Sequence, residues 1–203
     1  MAEKGQKNLN VKDVVTVAIM LALFLVVSVL VGMSTVTLPI LYLYVAPGLE
    51  MFVGAIFYLV AANRINKRGL LFIWVLIYGL ITAAVGYVFM LPYFIGLGLV
   101  CELAMLGKDA YRTPIRNMIG WSLYGAGMFF GIAIPCWVAW ESFQKQALEG
   151  GFAASTLEMQ YKVVTTPSLM FLGIAITVVL AGLGILFAQK VLRKHFKKAG
   201  IVD

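Results

Sequence analysis

The feature that most constrains this chain is a set of long, unbroken apolar runs: Val14 to Val31, Leu70 to Leu91, Met118 to Trp140 and Leu169 to Leu192. Runs of about 18 or more apolar residues are long enough for a helix to cross a hydrocarbon layer ~30 Å thick. A membrane strand would instead alternate over ~10 residues, and these runs do not. Composition agrees, because 62% of the 203 residues are hydrophobic and 12% charged, against about half and about a quarter in soluble domains. The expected fold class is an all-α integral membrane protein, one domain over residues 1–203, with six transmembrane helices in one bundle. The approximate spans are 13–32, 43–62, 69–90, 92–106, 113–140 and 168–193, with a long outer loop at 141–167. Pro39 and Pro47 are expected to break or kink the entry to the second span, and the fourth is short for a full crossing.

The net charge of +7 is first a question of placement. Lys4, Lys7 and Lys12 precede the first span; Arg64, Lys67 and Arg68 follow the second; Lys108, Arg112 and Arg116 follow the fourth; Lys190, Arg193, Lys194, Lys197 and Lys198 close the chain. Fourteen of the sixteen Lys and Arg thus fall on one side, and Lys145 and Lys162 alone fall on the other. The positive-inside rule places both termini in the cytoplasm, in a multi-pass protein of the bacterial plasma membrane. The basic surplus is a topology signal and no nucleic-acid partner is expected. The length of the first run, and the absence of a small-residue cleavage pattern near Gly32 to Thr37, read as a retained anchor. Cys101 and Cys136 fall in different spans, far apart along the bundle, so no disulfide is expected.

Catalytic chemistry has little to work with. The one histidine, His195, sits in the basic tail, and there is no phosphate-binding loop, no HExxH pair and no serine with an evident base. The expectation is no enzyme, no cofactor, no metal and no catalytic residue. Two carboxylates inside the spans need a reason, since intramembrane acids are costly. Glu50 follows Pro47 and Gly48 in the outer half of the second span, where it either contacts a ligand or, protonated or internally hydrogen-bonded, holds helices together. Glu102, near the cytoplasmic end of the fourth, is expected to pair with Lys108, Arg112 or Arg116.

Aromatic residues crowd the outer side: Tyr42, Tyr44, Tyr87, Tyr93, Trp137 and Trp140. Some belong to the interfacial belt, as Trp74 and Trp121 are expected to on the inner side. Together with Glu50 they also suit a pocket for a flat organic ligand, capped by the loop at 141–167. Ala18 and Ala22 share one face of the first span and Gly127 and Gly131 one face of the fifth, which permits close helix approach.

These features, with the basic start NLNVKDVVTVAIMLALF and the AxxxA pair Ala18 and Ala22, resemble the substrate-binding S component of energy-coupling factor (ECF) importers. The resemblance covers most of the chain. It implies that the Ala18 and Ala22 face docks against a transmembrane (T) subunit joined to a pair of ABC ATPase subunits. It also implies that a vitamin-like small molecule binds in the outer half, near Tyr42, Tyr93 and Glu141 to Pro167. The chain lacks the binding motif of the riboflavin, thiamin or biotin members, so the substrate stays open, with a tetrapyrrole such as haem as one alternative. A small secondary transporter or channel is the competing class, and it would need a polar path across the inner half.

Overall fold

The computed structural model describes residues 9–196, giving the backbone alone for His195 and Phe196. Lys4, Lys7, Lys197 and Lys198, counted in the charge asymmetry, lie outside that range. The described residues are helical, in the order α1 (Val11–Thr35), a π turn (Leu41–Val45), α2 (Ala46–Ile65), α3 (Leu70–Ala84) and a 3-10 turn (Val88–Met90). Then come α4 (Leu91–Ala104), a 3-10 turn (Ala110–Arg112), α5 (Pro114–Gly131), α6 (Ala133–Val138), α7 (Trp140–Glu149), α8 (Ala154–Thr165) and α9 (Pro167–Phe196).

Four helical stretches are long and apolar enough to cross a membrane: Val11–Thr35, Leu41–Ile65, Pro114–Val138 and Pro167–Lys194. Leu70–Ala84 and Val88–Ala104 are apolar but shorter. At 1.5 Å per residue the first of these spans about 22 Å, short of a ~30 Å core. The expected third span, to Met90, therefore ends early at Ala84, and residues 88–90 belong to the next helix instead.

Prolines mark two irregular places in the bundle. At the entry to the second helix Pro39 sits in the first turn, a π turn follows over Leu41–Val45, and regular helix begins at Ala46 with Pro47 in its first turn, where a missing donor costs nothing. A second interruption falls in the expected fifth span, which divides at Ile132 into α5 and α6, three residues before Pro135. The Ile132 carbonyl there accepts hydrogen bonds from Gln160 Nε2 at 3.1 Å and from Cys136 Sγ at 3.5 Å, which ties the break to α8. The expected outer loop at 141–167 is two helices, α7 and α8. Thr156 Oγ1 fastens α8 to the Val36 carbonyl beyond α1, at 2.8 Å.

One end of the bundle carries the basic turns. There α1 starts on a reciprocal cap, with the Asp13 N–H donating to Asn10 Oδ1 at 3.0 Å and the Asn10 N–H donating to Asp13 Oδ2 at 2.8 Å. Lys67 Nζ reaches the same carboxylate at 2.5 Å and ties the α2–α3 turn to α1. Glu102 makes no ion pair with Lys108, Arg112 or Arg116, correcting the expectation. Its Oε1 accepts from the Gly69 N–H at 2.7 Å and its Oε2 from the Phe72 N–H at 3.3 Å, so it caps α3. Tyr111 Oη donates to Oε2 at 2.5 Å while accepting from the Leu71 N–H at 3.0 Å. Asn117 joins the Tyr111 carbonyl at 2.7 Å to Tyr58 Oη at 2.9 Å. The local cause is Gly69, at φ 86, whose left-handed backbone starts α3 without a side-chain cap of its own. Arg116 donates to the Leu106 carbonyl instead.

The core corrects the belt reading of Trp74 and Trp121. Both are fully buried, packed with Phe24, Tyr58 and Tyr124 in the bundle interior. Tyr58 stacks on Trp121 at 4.7 Å between centroids, and Trp121 Nε1 donates to the Met51 carbonyl at 2.8 Å. Helices approach closely where side chains are small, as lipid-embedded packing requires. A Cβ on Gly184 of α9 would stand 2.6 Å from the Phe52 Cα and carbonyl oxygen of α2. One on Gly127 would stand 2.2 Å from Leu97 of α4. Cys101 and Cys136 are buried and free.

Candidate functional site

At the end of the bundle opposite the basic turns lies a cavity of about 330 Å³, inside the ~300–1,000 Å³ range of small-molecule sites. Its wall on the α2 side comes from the π turn and the first turns of α2: Tyr42, Leu43, Pro47, Glu50 and Met51. The π turn sets the phase that lets Tyr42 and Glu50 line the same space. From α3 come Tyr78 and Thr82, one helical turn apart, followed by Tyr87, Met90 and Phe94. Met128 and the α5–α6 break supply the far wall. Phe143 of α7, Phe152 of the α7–α8 connection and Gln160 of α8 complete it.

The aromatic lining is cross-braced. Tyr42 packs edge-on against Phe152 at 5.3 Å between centroids, Tyr87 against Phe143 at 6.2 Å, and Tyr78 against Phe94 at 5.3 Å. These contacts join α7 and the α7–α8 connection to the wall, so the cap and cavity form one packed unit. Burial raises the Tyr87 hydroxyl above the ordinary phenol range, so it is a neutral phenol that can donate or accept a hydrogen bond. Gln160 spends both amide protons, on the Ile132 carbonyl and on Cys136 Sγ at 3.6 Å. Below Met51 the buried aromatic group of Phe24, Tyr58, Trp74, Trp121 and Tyr124 fills the interior.

Of the residues singled out in the sequence, Tyr42, Glu50 and Tyr87 line this cavity together. Tyr44, Tyr93, Trp137 and Trp140 do not. Tyr44 packs against Phe129 at 6.4 Å, in a second cluster beneath α8. Tyr93 Oη donates to the Gly127 carbonyl at 2.5 Å, locking α4 to α5. Trp137 is 57% exposed, and Trp140 braces α7 against α8 through Phe143 and Tyr161. Tyr78, Thr82, Phe143, Phe152 and Gln160 join Tyr42, Glu50 and Tyr87 in the lining without having been expected there. For Gln160 the signal lay in the stretch 141–167, where Thr156, Leu157, Gln160, Val163 and Val164 recur at helical spacing as one buried stripe of α8.

Ala18 is half-buried on α1, and Ala22 is exposed amid Ile19, Leu23, Val26 and Val29. Of the four long stretches α1 is the least buried. Its outward face is a continuous apolar stripe.

Apolar helices with outward-facing leucine, isoleucine and valine, closed at one end around a cavity, define an all-helical integral membrane protein. The chain belongs to the Trep_Strep family, described as hypothetical bacterial integral membrane proteins, whose model matches residues 11–198. No curated protein and no solved structure is significantly similar to it.

Proposed function

We propose that this chain is the substrate-binding S component of an ECF-type importer for a vitamin-like small molecule. In this reading six helical passes cross the bacterial plasma membrane, with both termini and the basic turns in the cytoplasm and the cavity facing outward. The observation that carries the reading is a braced cavity, closed below by buried aromatics, at the end remote from the basic turns. A channel or secondary transporter needs a polar path through the bundle, and the side chains below Met51 are aromatic and packed. A binding subunit needs only one open end, because the loaded protein is reset by other chains.

The mechanism follows as binding without catalysis. Solute enters beneath α7 and α8, the Tyr42–Phe152 and Tyr87–Phe143 contacts close over it, and the T subunit engages the exposed stripe of α1. Small residues on that stripe let a partner helix approach, since in lipid close packing replaces the hydrophobic drive. ATP hydrolysis belongs to the ATPase pair.

Co-purification tests the docking. Ala18→Leu and Ala22→Leu are expected to abolish recovery of the T subunit and the ATPases with tagged protein, while the isolated chain keeps its thermal midpoint. Recovery of the whole assembly with both variants would overturn the assignment.

A further inference from the structure

The cavity of the proposed importer subunit has a one-sided chemistry. Glu50 is the one carboxylate lining it, and no Lys, Arg or His side chain does. Lys145 and Glu149 of α7 lie in an adjoining cleft beside Gly86, across the shared wall of Tyr87 and Phe143. Ser28 of α1 stands beside the Glu50 carboxyl as a neutral hydroxyl, and among the described residues no cation pairs with it.

Of the other polar groups, Gln160 and Thr82 present acceptors, while the phenol hydroxyls of Tyr42, Tyr78 and Tyr87 can donate or accept. Gln160 has spent its donors on Ile132 and Cys136, which leaves its amide oxygen as an acceptor. The Thr82 hydroxyl donates to the Tyr78 carbonyl at 2.9 Å. Around them stand aromatic rings and thioethers: Tyr42, Tyr87 and Phe143 among the rings, Met51, Met90 and Met128 among the sulfurs. Ring faces carry the negative side of the aromatic quadrupole and attract cations.

We infer that the ligand is an organic cation of single positive charge, its nitrogen placed at Glu50 and its flat apolar body held between the Tyr42–Phe152 and Tyr87–Phe143 pairs. A lone carboxylate in a lipid-embedded cavity is costly unless one complementary charge reaches it. One acid matches one charge. An anionic ligand would meet Glu50 with no basic side chain lining the cavity to offset the repulsion, and a neutral one would gain no charge pairing there.

This inference rests on reading the cavity as a solute site, and its test is independent of docking. Three indoles of matched shape serve as probes: tryptamine, which is cationic at pH 7, neutral tryptophol and anionic indole-3-acetate. Calorimetric titration into the full-length purified protein is expected to show tryptamine binding at least about tenfold tighter than tryptophol, as hydrogen bonds to charged groups exceed neutral ones, with indole-3-acetate weakest. Glu50→Gln is expected to erase that preference while leaving tryptophol binding unchanged. Phe143→Leu, which leaves the carboxylate in place, is expected to weaken tryptamine several-fold and supplies the test if Glu50→Gln does not fold. Equal affinity for tryptophol or indole-3-acetate, no binding of tryptamine, a preference that survives Glu50→Gln, or full tryptamine affinity in Phe143→Leu overturns the inference. Failure of the importer reading shows up separately, as recovery of the whole assembly with the α1 variants and cation binding intact.

Discussion

Replacing Glu102 probes the least expected contact in the fold, because one carboxylate joins α4, the start of α3 and the turn before α5. Glu102→Ala removes the acceptor for the Gly69 N–H at 2.7 Å, the Phe72 N–H at 3.3 Å and Tyr111 Oη at 2.5 Å. Hydrogen bonds to charged groups contribute about 1.5–3 kcal/mol each when buried. The Phe72 bond is long and the site is half-buried, so water recovers part of the loss, and a net cost of about 3 kcal/mol is reasonable. Glu102→Gln keeps one acceptor oxygen and is expected to cost about half of that. For a chain of this size each kcal/mol corresponds to roughly 2–4 °C, which puts Glu102→Ala roughly 6–12 °C below the parent and Glu102→Gln in between. A thiol-reactive fluorophore followed during heating in detergent reads the transition, since Cys101 and Cys136 are buried until the bundle opens. Tyr111→Phe is expected to be non-additive with Glu102→Gln, by about 0.5–3 kcal/mol, whereas Arg116→Met is expected to add independently. A midpoint for Glu102→Ala within 2 °C of the parent, or strong coupling to Arg116 with none to Tyr111, would refute the capping account and restore an ion pair.

Two further outcomes are expected. Gly184→Ala places a methyl 2.6 Å from backbone atoms of Phe52, and backbone cannot swing aside as a side chain can. The variant is expected to lose about 1–3 kcal/mol by overpacking, read as a lower thermal midpoint, and an unchanged midpoint would show that α2 and α9 are further apart than described. Single cysteines at Arg68 and Gly150, in a background lacking Cys101 and Cys136, are expected to be respectively protected from and labelled by an impermeant thiol reagent in intact cells. The reverse pattern would invert the orientation.

The membrane class was legible in the sequence because bilayer thickness acts on local properties: unbroken apolar runs are long for a physical reason that needs no tertiary contact. The segregation of Arg64, Lys67, Arg68, Lys108, Arg112 and Arg116 to alternate turns was equally legible. Glu50 and Tyr42 could be placed in one half of the chain from helix rise and proline position. Other features depended on which elements meet. Glu102 had basic neighbours in sequence, yet the fold brings the start of α3 to it, and helix N-terminal amides satisfied it first. Trp74 and Trp121 had positions suited to an interfacial belt, and only the approach of α1, α2, α3 and α5 turned them inward onto Phe24 and Tyr58. Pro47 and Pro135 are the same residue in different settings: Pro47 falls in the first turn of α2 after a π turn, while Pro135 follows a helix break whose Ile132 carbonyl accepts from Gln160 of a later helix. The cavity belongs to this second kind of knowledge. Tyr78, Phe143 and Gln160 join Glu50 through the fold of the stretch between residues 141 and 167 into two helices, and a sequence fixes such a meeting only through packing across the whole bundle.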